Sequence, residues 1–201
     1  MSLFTATCMA MHQFSKVTVD AEEFNLHTKS ILQDHLGFMW FGGSGGLHLY
    51  DGYSVQSFIQ NKDNPESLAG TVVYQIIEDS HGLIWAATNN GLSQYNRESN
   101  QFVNHRSIAG ESTSISANLV QALIEGDDGA IWVATSNGLN IYKPETKKFR
   151  RIYLSSHNEN SRASDQVYSL AKDKFGNIWA ATSAGIHKFV NGKYSQSYYK
   201  H

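Results

Sequence analysis

Four tryptophans, Trp40, Trp85, Trp132 and Trp179, divide this chain of 201 residues at spacings of 45, 47 and 47. A period of roughly 40–50 residues belongs to a supersecondary unit repeated around a ring or along a stack. The residues around each tryptophan repeat in register. Glycine stands three before it (Gly37, Gly82, Gly129, Gly176), and an apolar residue immediately before it (Met39, Ile84, Ile131, Ile178). Six after it comes glycine again (Gly46, Gly91, Gly138, Gly185), followed by Leu47, Leu92, Leu139 or Ile186. Ten after it comes Tyr50, Tyr95, Tyr142 or Phe189.

One repeat reads as four short strands. Residues 72–79 are β-rich, 80–82 form a turn, and 83–88 form a second strand. The Asn89-Asn90-Gly91 hairpin leads into a third strand at 92–96 and a fourth at 101–106. Early strands that are apolar on both faces, as at Val73, Ile76 and Ile77, suit a sheet sandwiched between neighbours. The expected fold is therefore all-β, a β-propeller with four four-stranded blades at about 27–59, 72–106, 119–154 and 166–199. Phe14 precedes Trp40 much as Phe58, Phe102 and Phe149 precede the later tryptophans, so 14–19 reads as the outer strand of an earlier blade. Residues 1–13 are set aside as an expression leader or a signal-peptide remnant, since the stretch 3–11 is uncharged and apolar.

Composition narrows the function. Lys plus Arg is 16 against 18 for Asp plus Glu, which argues against a basic nucleic-acid surface. The single cysteine, Cys8, excludes an internal disulfide and a cysteine-based zinc site. No apolar run reaches the roughly 18–20 residues of a membrane helix.

The stretches DSHGLIWAATNNGLSQY, GDDGAIWVATSNGLNIY and DKFGNIWAATSAGIHKF resemble the two-component regulator propeller repeat, and QDHLGFMWFGGSGGLHLYDGY looks like that family's opening blade. The resemblance implies a piece of a seven-bladed propeller in the extracytoplasmic sensor region of a bacterial membrane receptor. It places the chain in the periplasmic portion of an inner-membrane protein, upstream of a histidine kinase, a hybrid two-component system or a diguanylate cyclase. Seven blades at this period need roughly 330 residues. The remaining blades, a receptor dimer partner and further copies of the chain are thus expected partners. Two positions depart from the repeat: Gly43 replaces the threonine of Thr88, Thr135 and Thr182, and Gly126 replaces the aspartate of Asp34, Asp79 and Asp173.

The residues themselves point to binding rather than catalysis. The tryptophans read as inter-blade packing, and the three aspartates as turn residues bonding backbone N–H groups. The nine histidines show no metal-ligand spacing and read as surface or turn residues. The run Gly42-Gly43-Ser44-Gly45-Gly46 lacks a P-loop lysine and reads as a hairpin turn. No catalytic residue, metal or cofactor is implied. Antiparallel order places the turns 44–46, 89–91, 136–138 and 183–185 on one face with the loops 60–70, 107–118 and 155–165. Asn89, Asn90, Ser136, Asn137 and Ser183 are therefore the candidate ligand contacts, for an oligosaccharide or another small polar ligand. A propeller lyase and a protein-interaction scaffold are the alternatives, to be separated by activity on oligosaccharides or lactones and by partner capture.

Overall fold

The computed structural model describes residues 27–154 and 165–198. The expected outer strand at 14–19, Tyr199 and most of the 155–165 loop lie outside them. Every named element is a β-strand. Blade 1 comprises β1 (Thr28–Gln33), β2 (Met39–Gly43), β3 (Gly46–Tyr50) and β4 (Val55–Phe58). Blade 2 comprises β5 (Val73–Glu78), β6 (Ile84–Thr88), β7 (Gly91–Asn96) and β8 (Gln101–His105). Blade 3 comprises β9 (Val120–Glu125), β10 (Ile131–Thr135), β11 (Gly138–Lys143) and β12 (Lys148–Ile152). Blade 4 comprises β13 (Val167–Lys172), β14 (Ile178–Thr182), β15 (Gly185–Val190) and β16 (Lys193–Tyr198). Each sheet is a four-stranded antiparallel meander in sequence order. The all-β, four-bladed reading of the repeat is thus what the chain adopts.

The turn between the second and third strands explains the repeated glycine. Gly91, Gly138 and Gly185 sit at φ +127°, +107° and +147°, where a side chain is strained. A Cβ on Gly91 would also stand 2.8 Å from the His105 carbonyl oxygen on the outer strand. The threonine before each turn closes it: Thr88, Thr135 and Thr182 Oγ1 donate to the Gly91, Gly138 and Gly185 carbonyls at 2.7, 2.9 and 3.0 Å. In blade 1 a Cβ at Gly43 would drive into the His27 carbonyl, so the threonine has no room there.

Three apolar cores fill the three seams between successive blades. Trp40 packs with Ile84, Tyr95 and Phe102 of blade 2, Trp85 with Leu123, Ile131 and Tyr142 of blade 3, and Trp132 with Ile178 and Phe189 of blade 4. These tryptophans are 0–2% exposed, as the inter-blade packing role requires. Trp179 is only half-buried. On the same face Ile186 is 46% exposed, whereas its counterparts Leu47, Leu92 and Leu139 are 0% exposed. Blade 4 thus presents the apolar face that the other three cover. Uncovered faces of this kind drive association. The isolated chain is expected to form oligomers in light scattering, and Ile186→Glu is expected to reduce their size. Monodisperse monomers from both proteins would refute this.

The seams are also stapled by polar pairs between residues one repeat apart. Glu78 accepts from His35 N and pairs with the His35 ring, and Glu125 accepts from Ser80 N at 2.9 Å. At the third seam the polarity reverses, with Lys172 donating to Asp127 at 2.9 Å.

Two sequence assignments are corrected by the ladders. Phe58 pairs with Leu47, so its counterparts are His105, opposite Leu92, and Ile152, opposite Leu139. Phe102 and Phe149 lie three residues earlier, opposite Tyr95 and Tyr142. The spacing carried the distinction: Val55, Phe102 and Phe149 stand 30 residues before the next tryptophan, and Phe58, His105 and Ile152 stand 27 before it. The second correction concerns the histidines. His48 and His187 are 2% and 1% exposed, and His105 takes the position where Phe58 and Tyr198 stack on their tryptophans. Its ring lies 5.9 Å from that of Trp85 at an interplanar angle of 22°.

His105 Nε2 is buried without a hydrogen-bond partner among the described residues, and burial pulls the imidazole down to about 4. The unfolded imidazole titrates near 6.5. Its neutral form is therefore favoured by the fold, and stability is full above about pH 6.5. It falls as pH drops towards 4, by up to about 1.4 kcal/mol per pH unit. His105→Phe is expected to remove this slope, as read by urea unfolding at pH 7 and pH 5. The same loss in both proteins would disprove the assignment.

Candidate functional site

One rim of the arc gathers the 44–46, 89–91 and 136–138 turns against the segments that lead into the inner strands. Gly45 N donates to Thr71 O at 3.1 Å, and Asn89 N donates to Val72 O at 3.1 Å. One repeat on, Gly91 N donates to Asn118 O at 2.7 Å and Ser136 N to Leu119 O at 3.0 Å. Each connecting segment is thus held by the turn of the preceding blade and by the turn of its own.

The blade 2 turn shows how the sequence builds this locally. Thr88 Oγ1 accepts from Asn90 N at 3.1 Å, which sets the two asparagine side chains towards the connecting loop. Asn89 Oδ1 accepts from the N–H groups of Thr71 and Val72 at 3.0 and 3.1 Å, and Asn89 Nδ2 donates to Thr71 Oγ1 at 3.2 Å. Asn90 Nδ2 donates to Ala69 O at 3.1 Å. That carbonyl also receives Gln60 Nε2 at 2.5 Å and Arg106 Nη2 at 3.2 Å. Asn89 is therefore a clamp on the loop, and Asn90 is both clamp and wall.

The wall faces a cleft of about 440 Å³ lined by Gln60, Asn61, Lys62, Asn64, Pro65, Asn90 and Arg106. Its loop side is preformed. Asn61 Oδ1 accepts from Asp63 N and Asn64 Oδ1 from Glu66 N, both at 3.0 Å, and Ser67 Oγ donates to the carbonyls of Asn61 and Asn64. Such local side-chain-to-backbone bonds hold a loop without a core beneath it. The cleft carries two cations, Lys62 and Arg106, among amide groups. That set can bind anionic or polyhydroxyl groups through charge-assisted and neutral hydrogen bonds.

The five candidate contacts share the rim but do not share this cleft. Only Asn90 lines it. Ser136 is half-buried against Leu119, Asn137 is exposed with its N–H on Thr135 Oγ1 at 3.2 Å, and Ser183 is exposed. Arg106 and Lys62 were missed from sequence. Lys62 lies in the 60–70 loop already marked as polar, whereas Arg106 is brought to the cleft only by pairing of the outer strand.

The opposite rim is built on the aspartates. Asp34, Asp79 and Asp173 each accept two backbone N–H groups of their turn, as expected, and each also accepts the indole N–H of its tryptophan at 2.8, 2.8 and 3.0 Å. The Trp179 and Asn177 donors hold Asp173 well below the usual carboxylate range. The repeat spacing of aspartate and tryptophan carried this signal. Among the described residues no cluster of metal-binding side chains occurs.

The two component regulator propeller family model matches residues 67–90, 114–137 and 161–184. Among solved structures, an extracellular domain ascribed to a hybrid two component system of B. thetaiotaomicron superposes with a TM-score of 0.63 at 23% identity. The match covers 87% of this chain and 30% of that one. PorZ, a surface component of the type-IX secretion system of Porphyromonas gingivalis, gives a TM-score of 0.60 at 15% identity, over 92% of this chain and 29% of its own. Virginiamycin B lyase from Staphylococcus aureus gives 0.61 at 13% identity, over 85% of this chain and 55% of the lyase. At these identities the likeness is one of fold, and this chain spans less than a third of the first two structures. No curated protein matches it. The stretches that match the two component regulator propeller model each run through the first two strands of the second, third and fourth blades.

Proposed function

We propose that the chain is part of the ligand-sensing propeller of an extracytoplasmic receptor region, anchored through an inner-membrane protein whose cytoplasmic output is a histidine kinase or a diguanylate cyclase. The observation that carries this reading is the recurrence of the two-component regulator repeat in three successive blades. The preformed polar cleft at Asn90 and Arg106 supplies a place for a small polar ligand, with oligosaccharides the first class to try. The chain acts in this reading as a binding module, its remaining blades and a receptor dimer partner completing the sensor.

Candidate oligosaccharides titrated calorimetrically against the whole extracytoplasmic region should bind, and Arg106→Ala should weaken binding about tenfold by removing a charge-assisted bond. Asn90→Ala should do the same, and Asn137→Ala should have a smaller effect because that side chain lies outside the cleft. Unchanged affinity in both Arg106→Ala and Asn90→Ala would overturn the site.

A further inference from the structure

The turn ahead of β10 lacks the acceptor that its three counterparts supply. Gly126 stands where Asp34, Asp79 and Asp173 receive an indole N–H. No described residue accepts from Trp132 Nε1, although Trp132 is only 2% exposed. A Cβ built on Gly126 would stand 3.1 Å from that nitrogen and 2.7 Å from Asp128 Oδ1. Both atoms therefore border the space that an aspartate side chain fills in the other blades. The space opens into a cleft of about 240 Å³ at the seam of blades 3 and 4, which Asp127, Phe175 and Asn191 also line.

The charges there define the chemistry. Asp127 is paired with Lys172 at 2.9 Å, Asp128 Oδ1 accepts from Ala130 N at 3.3 Å, and Lys174 Nζ lies 5.0 Å from the Phe175 ring centroid. Arg150 Nη2 also donates to the carbonyl of Gly192 at 2.9 Å, so charges of both signs surround the cleft. An anionic ligand would meet Asp128 as a like charge, and a cation would leave the indole N–H unanswered. A hydroxyl answers both groups, since it accepts from the indole and donates to the carboxylate. Phe175, 76% exposed, offers a flat apolar face beside them. The volume lies below the ~300 Å³ at which pockets begin to hold drug-sized molecules, so it suits a single ring.

From these observations we infer that the seam of blades 3 and 4 holds a subsite for a neutral polyhydroxyl ring, one hydroxyl bridging Trp132 Nε1 and the Asp128 carboxylate above Phe175. The subsite lies on the rim opposite the Asn90 cleft and stands whether or not that cleft binds a ligand.

The indole N–H resonances of the four tryptophans give a direct test in the ¹⁵N-labelled chain, with Trp132→Phe identifying the Trp132 signal. Glucose, galactose, mannose and myo-inositol are the probes, and acetate and methylammonium the charged controls. At least one polyol should shift the Trp132 signal saturably and leave that of Trp85 in place. Phe175→Ala, on an exposed side chain, should weaken this response about fivefold. Gly126→Asp should abolish it, since the backbone at 126 is not in the left-handed region and the new carboxylate takes the indole N–H. A Trp132 signal that no polyol moves, one that responds only to acetate or methylammonium, or a polyol response retained in Gly126→Asp would each overturn the proposal.

Discussion

Trp85→Ala is expected to destabilise the chain by about 3–5 kcal/mol, the range for deleting a large buried aromatic side chain. Trp85 is 1% exposed and fills the seam of blades 2 and 3 with Leu123, Ile131 and Tyr142. Its indole N–H also donates to Asp79 Oδ2 at 2.8 Å, whereas that of Trp132 has no acceptor among the described residues. Phenylalanine substitutions separate ring from hydrogen bond. Trp85→Phe leaves an Asp79 oxygen without its donor, and Trp132→Phe strands nothing. The first should therefore cost about 1–2 kcal/mol more than the second. Urea unfolding with an unchanged slope would measure the difference. Equal losses would show that the aspartate–indole bond contributes nothing net.

Asp34→Ala should be equally damaging, at about 3–5 kcal/mol, because it removes one partner of a buried ion pair. Asp34 is 4% exposed. Its Oδ1 accepts from the N–H groups of Leu36 and Phe38, both at 3.0 Å, and its Oδ2 from the Trp40 indole and Arg97 Nη2, both at 2.8 Å. Without it the Arg97 guanidinium retains, among the described residues, Glu78 at 3.8 Å and the face of Trp40. Asp34→Ala with Arg97→Met should recover part of the loss, since the stranded charge leaves with its partner. A double variant no more stable than the single would place the loss in the turn. Burial opposes ionisation of Asp34, but Arg97, Trp40 and Phe38 outweigh it and hold the carboxyl below its usual value. Its contribution is therefore full above the unfolded carboxyl value near 3.8 and is lost as pH falls through the lower folded value. That window lies below the one in which His105 acts, so an acid titration should show two separate losses.

The period of the tryptophans, the paired glycines and the threonine before three of the four hairpins determined the four blades and the position of nearly every turn. These features are local. A threonine closing a turn three residues on, or an aspartate bonding N–H groups two and four residues on, involves neighbours in sequence and recurs wherever the motif recurs. What the tertiary structure decided are the contacts between blades, which join residues about one period apart. Glu78 with His35, Glu125 with Ser80 and Lys172 with Asp127 occupy one repeated place, yet the third pair reverses the charge. His105 reads as a surface or turn histidine until the ladder sets it on Trp85, and Arg106 carries no signal until it reaches the Ala69 carbonyl. Gly126 is one changed letter in a motif, and its effect appears only where Trp132 meets blade 4. Each repeat carries the instructions for its own sheet. The environment of a side chain at a seam is set by the neighbouring blade, so the same position becomes a salt bridge, an aromatic stack or an open cleft according to what lies across from it.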